Sequence, residues 1–138
     1  LLNRANIKKT TFKSADLSNS YWTNATITSV SFEGTNLSGA NFANARLINV
    51  DLSNTNLNNA SFYNAYLENV KMVNTNCFKI QMHNTIIKDS VISATKFNES
   101  RATDTIFMNN VMTDVDFTGA DTRGTKLMQN QTEKVQFK

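Results

Sequence analysis

The sequence has no proline, one cysteine, four glycines and one tryptophan in 138 residues. The lone Cys77 excludes an internal disulfide and any multi-cysteine metal site, so nothing points to a disulfide-dependent secreted scaffold. No apolar run approaches the ~20 residues of a membrane span, and no signal-peptide pattern opens the chain. A soluble protein without membrane insertion is expected. Charged residues make up only 18%, and the net charge of +3 comes from scattered Lys and Arg. A nucleic-acid partner calls for a clustered basic face, so that class is disfavoured. Low charge and ordered apolar residues also exclude a disordered chain.

Order lies in the spacing. Counting in fives from Leu2 to Phe137 gives 28 centre positions, of which 24 are Leu, Ile, Phe, Met or Trp; the exceptions are Cys77, Ala102, Thr122 and Thr132. Two residues before a centre, 24 of 27 positions are Ala, Ser, Thr or Val, with Ile80, Asn110 and Asn130 departing. Five residues advance a helix by about 500°, which spirals the centres around its surface. In an unbroken strand an odd period throws alternate centres to opposite faces. The chain must therefore turn once per repeat. Two residues after each centre, 18 of 27 positions are Asn, Gly or Asp, and all four glycines sit there. These residue types tolerate the positive φ of a type II turn.

Charge sets the number of repeats per coil, because residues one coil apart are stacked neighbours. At a spacing of 20 there are seven charged pairs, all of opposite sign: Lys13/Glu33, Asp51/Lys71, Glu68/Lys88, Lys79/Glu99, Lys96/Asp116, Arg101/Asp121 and Asp114/Lys134. A spacing of 25 gives three opposite and four like pairs, and 15 gives one and three. Four pentapeptides per 20-residue coil follow, with nearly seven coils stacked at about 4.8 Å into a four-sided rod about 30 Å long. Asn24, Asn44, Asn64 and Asn84 share one corner column, and Asn36, Asn56 and Asn76 one face column. Amide ladders along the axis are expected in both.

The segments SADLS, TNLSG, ANFAN, ARLIN, TNLNN and GADTR resemble the A(D/N)LXX consensus of the pentapeptide-repeat family. The resemblance runs through the whole chain in one register. It implies an all-β fold, a right-handed quadrilateral parallel β-helix, in a single domain over 1–138. Because the chain opens on Leu, that domain is also read as a fragment of a longer protein. Some bacterial family members bind DNA gyrase and protect it from quinolones by imitating duplex DNA with an acidic rod. Others are domains of secreted effectors, including HECT-like ubiquitin ligases. The expected function is a rigid, non-enzymatic protein-interaction scaffold, free-standing or as an effector domain. Gyrase mimicry is the alternative, against which stand the basic net charge and the lack of loop insertions. The implied location is the bacterial cytoplasm or, for an effector, the host cell.

Reactive side chains do not combine into a site. Cys77 and Trp22 are centres and expected in the core, and His83 points outward from a different face, so no catalytic pairing arises. Asp114, Asp116 and Asp121 are read as cross-coil ion pairs, not metal ligands. No catalytic, cofactor or metal residue is expected. The outward positions carry more information. Tyr66, Ile86 and Ile106 precede centres of one face in consecutive coils, Ile48, Met108 and Met128 follow centres of that face, and Val91 and Val111 stack around the next corner. A contiguous apolar strip on a polar rod marks a contact surface for a protein partner or a second copy. Bare terminal coils would expose strand edges, so a flanking domain or subunit is expected to cover at least one end.

Overall fold

A left-handed backbone conformation recurs at every fifth residue. In the computed structural model, which describes residues 1–138, all 27 positions two after a centre have φ between +48° and +77°, and no other residue does. Between these corners lie short strands: β1 (Asn6–Lys8), β2 (Thr26–Thr28), β3 (Arg46–Ile48), β4 (Tyr66–Glu68), β5 (Lys71–Val73), β6 (Ile86–Lys88), β7 (Val91–Lys96), β8 (Ile106–Met108), β9 (Val111–Asp116), β10 (Lys126–Met128) and β11 (Gln131–Gln136). All pair in parallel, in a seven-stranded sheet β1-β2-β3-β4-β6-β8-β10 and a four-stranded sheet β11-β9-β7-β5. The register is 20 residues throughout, as in Ile27↔Leu47 and Val91↔Val111. The chain forms a right-handed, four-sided parallel β-helix of about seven coils.

Face one carries the centres Leu2 to Thr122, face two Ile7 to Leu127, face three Phe12 to Thr132 and face four Leu17 to Phe137, each in steps of 20. Two kinds of corner join them. On faces one and four the centre carbonyl accepts the N–H three residues on, as in Ala45 to Phe42 and Ala60 to Leu57, both 3.0 Å. There the residue before the centre also caps the chain: Asn36, Asn56 and Asp116 accept the N–H of Ser38, Asn58 and Thr118 at 3.1, 3.0 and 2.8 Å. This is an Asx turn. On face two no corner closes that way; strands run flatter, and the positions beside the centre are freed for Thr, Ile, Tyr and Met.

Open corners explain two departures from the repeat. Asn110 and Asn130 lie in the column of Val30, Val50 and Val70, just past face two. The buried Asn110 accepts the Ser90 N–H at 2.9 Å and donates its amide to the Ile87 carbonyl at 2.9 Å, while its own N–H donates to Asn130 at 2.8 Å. Asn130 repeats the pattern on the Phe107 carbonyl. Elsewhere, Thr at the small inward positions donates to a turn carbonyl of the coil beneath, as Thr75 does to Leu52 and Thr105 to Met82.

The axis is filled by stacked centres. Trp22, Phe42 and Phe62 stack on face one at 5.5 and 4.9 Å, and Phe97, Phe117 and Phe137 on face four at 4.8 and 4.9 Å. The Trp22 indole N–H is satisfied by Ser20 at 2.6 Å. Phe107 meets Phe97 and Phe117 edge-on, beside the small centre Ala102. The coil with the small centre Cys77 carries the large Ile80 three residues on, and an apolar void of only about 10 Å³ remains there.

Two expectations need correction. The column Asn36, Asn56, Asn76 makes no amide ladder, because its side chains are used in Asx turns. In the Asn24 column only Asn84 bonds Asn64, at 2.7 Å, while further rungs join Asn69 to Asn49 and Asn74 to Asn54. Of the seven opposite-charge pairs, Lys13–Glu33, Lys79–Glu99 and Lys88–Glu68 meet, at 3.3, 3.9 and 3.7 Å. Two of the three aspartates make other contacts, Asp116 accepting from Asn98 and Thr118 and Asp121 pairing with Arg123, while Asp114 forms no ion pair. Register brings such charges into neighbouring coils, but local bonds two residues away capture the carboxylates first.

Candidate protein-contact surface

The flat sheet on face two presents the residues before and after each centre to solvent. Register stacks Ile86 on Ile106, Met108 on Met128 and, around the corner on face three, Val91 on Val111. Within one coil Ile106, Met108 and Val111 form an apolar row, flanked below by Ile86 and Val91 and above by Met128. Val91, Val111 and Met128 are each more than 40% exposed, and Ile86, Ile106 and Met108 are half-buried. These six residues form one patch.

Two further expected residues stand differently. Ile48 shares the Met108 column, but Glu68 and Lys88 lie between them, joined by an ion pair at 3.7 Å. It lies apart from the patch. Tyr66 stacks directly below Ile86, yet its hydroxyl donates to Glu68 at 2.6 Å and its ring lies under the Arg46 guanidinium at 4.5 Å. The hydrogen bond to Glu68, then partial desolvation, pushes the Tyr66 phenol above its usual range. Tyr66 thus forms a polar border.

The rim has a sign. Lys88 is held between Glu68 and Asp89, at 3.7 and 3.8 Å. Lys71, beside Val91, and Lys126, beside Ile106, have no carboxylate within ion-pair distance. The uncompensated charge beside Val91 and Ile106 is therefore positive, while Glu133, also unpaired, lies past Val111 on face three.

The remaining candidates are dispersed. Cys77 is fully buried, and desolvation alone pushes its thiol far above the usual range. His83 sits on the outer side of face one with Nδ1 2.7 Å from Thr103 Oγ1. No group of three or more His, Cys, Asp or Glu side chains is placed to hold a metal ion, and no helix is long and apolar enough to cross a membrane. Exposed aromatic rings that the sequence reading passed over are Tyr21 and Tyr63 on face one and Phe78 on face four. Their signal was an aromatic residue beside a centre, outside the strip of large apolar residues on face two.

The model of the pentapeptide repeat region matches residues 5–72 and 65–137. Among solved structures, a pentapeptide repeat protein from the Arabidopsis thaliana thylakoid lumen shares 21% identity over 75% of this chain and 69% of its own, with a TM-score of 0.55. The pentapeptide repeat protein Rfr23 from the cyanobacterium Cyanothece shares 14% over 93% and 91%, with a TM-score of 0.56. Both likenesses concern the fold. A comparison with curated protein sequences gives no match. With the family model spanning nearly every coil, the chain belongs to the pentapeptide-repeat family.

Proposed function

We propose that the protein is a rigid, non-enzymatic protein-binding scaffold whose contact surface is the patch centred on Ile106, Met108 and Val111. The observation that carries this reading is the convergence of six apolar side chains from three coils on a rod whose other outward columns are mainly polar. An apolar cluster ringed by polar residues is what contact sites look like. The occupant we infer is an amphipathic helix of a partner protein. Its turns rise about 5.4 Å, close to the ~4.8 Å between coils, so residues one turn apart can sit on successive rungs. Acidic residues flanking its apolar face would meet Lys71 and Lys126.

Imitation of DNA is favoured by no feature of this surface, because acidic and basic residues alternate along the columns and the net charge is +3. A contact is also proposed at the last coil, where Leu127 and Phe137 are 43% exposed and β10 and β11 form sheet edges.

The test uses a short helical peptide with leucines along one face and glutamates at its flanks, titrated against the intact rod. Ile106→Asp should weaken binding about tenfold or more, whereas Ile48→Asp should not, and a Lys-flanked twin should bind less well. Equal binding by both peptides and both variants, with the circular dichroism unchanged, removes the proposal.

A further inference from the structure

A second concavity lies on face one, around the corner from the patch. It has a volume of about 450 Å³ and is lined by Tyr63, Gln81, His83, Arg101, Thr103, Asp121 and Arg123. Tyr63 and His83, one coil apart, hold their rings 4.9 Å from centroid to centroid at an interplanar angle of 34°. His83 uses Nδ1 for Thr103, so Nε2 remains for another partner. The register stacks Gln81, Arg101 and Asp121 in the neighbouring column.

The ion pairing in this groove is asymmetric. Arg123 donates Nε to Asp121 Oδ1 at 2.8 Å and Nη2 to Asp121 Oδ2 at 2.5 Å, so both carboxylate oxygens are occupied by one guanidinium. Arg101, the register partner of Asp121, has no carboxylate within ion-pair distance. A guanidinium fork with no anion thus stands in the neighbouring column, one coil or ~5 Å along the axis from His83 and two coils from Tyr63. Asp104 stands nearby at the corner, 3.9 Å from His83 Nδ1.

We propose that this groove binds a phosphate monoester carried on an aromatic ring. Arg101 takes the phosphate oxygens through its forked N–H donors, the chemistry for which guanidinium is suited. His83, which lines the same groove and has Nδ1 engaged by Thr103, makes a further contact through Nε2. The ligand ring lies against Tyr63 and His83, where offset or tilted stacking is favourable. Asp104 and Asp121 oppose the anion, and Arg123 offsets the latter.

The test is a titration of the isotopically labelled full chain, followed by its amide resonances, with phenyl phosphate, inorganic phosphate and phenol. Saturable shifts confined to residues 63, 81, 83, 101 and 103 are expected, with phenyl phosphate binding more tightly than inorganic phosphate and phenol not binding. Arg101→Gln should weaken both phosphates about tenfold or more. Tyr63→Ser should reduce phenyl phosphate to the level of inorganic phosphate. The proposal is overturned by shifts scattered over the lysines, by equal affinity for the two phosphates, or by an Arg101→Gln chain that binds as the wild type does.

Discussion

Asn110 breaks the sequence rule and completes the open corner after face two, so replacing it probes how these corners are held. Asn110→Ala removes the acceptor of the Ser90 N–H and the donor to the Ile87 carbonyl, both at 2.9 Å inside the rod. The buried Ser90 N–H left without a partner costs about 1–3 kcal/mol and the lost bond to the Ile87 carbonyl about 1 more, so about 2–4 kcal/mol is expected for the two together. At about 3 °C per kcal/mol for a chain of this size, Tm should fall by roughly 6–12 °C. Asn110→Val restores apolar volume but neither bond, and should fall between wild type and Ala. Asn110→Asp adds a sign test. A buried carboxyl has a folded-state pKa raised above its unfolded value, and only its neutral form can donate to the Ile87 carbonyl. The deficit of this variant relative to wild type should be small below the unfolded pKa and grow as pH rises through the folded pKa. Thermal melts by circular dichroism at mildly acidic and neutral pH measure all three. A change below about 1 °C for Asn110→Ala, or a pH-independent deficit for Asn110→Asp, would refute the reasoning.

Other perturbations follow from single contacts. Ser100 Oγ is buried with no hydrogen-bond partner, so Ser100→Ala should stabilise the rod by about 1 kcal/mol, seen as a higher denaturation midpoint in urea. Ala94 is held at φ +48°, where an L side chain costs about 1–2 kcal/mol and glycine about 0.5–1 kcal/mol in chain entropy. Ala94→Gly should therefore raise stability by about 0.5–1 kcal/mol by the same assay. The Asp16 and Asp116 carboxyls are lowered mainly by bonds from Ser18 and Thr118, and Asp121 is lowered to about 2 by Arg123. Their contribution is present above the ordinary carboxylate pKa and is lost as pH falls from about 4 towards 2. An acid titration of Tm should show that slope, and a Tm independent of pH over this window would contradict it.

Much of the backbone was legible because one residue in five is under a conformational demand that few side chains meet. The Asn, Gly and Asp positions two after each centre announced the corners, and even Arg4, Lys79 and Gln129 adopt positive φ there because stacking imposes it. The sign pattern at a spacing of 20 gave the register, although the carboxylates bond elsewhere. Asp121 illustrates why: a residue two positions away on the same face reaches it with less loss of freedom than one a coil away. The two classes of corner were not legible, since they depend on whether the residue before the centre caps its own turn. Asn110 and Asn130 looked like flaws until their bonds across coils were visible. Of the surface, the column arithmetic joined Ile48 to the other outward apolar residues, because a column was read without asking what occupies the rungs between. It also left His83 isolated, since its stacking partner Tyr63 is 20 residues away.

The central claim is that face two meets a protein partner through Ile106 and its neighbours. Its most direct test is the resonance shift map of the intact rod on binding the glutamate-flanked helix. Shifts should be confined to Ile86, Val91, Ile106, Met108, Val111 and Met128 with Lys71 and Lys126 at the rim, and should vanish in Ile106→Asp while Ile48→Asp retains them. Shifts centred on another face, or an undiminished map in Ile106→Asp, would contradict the account.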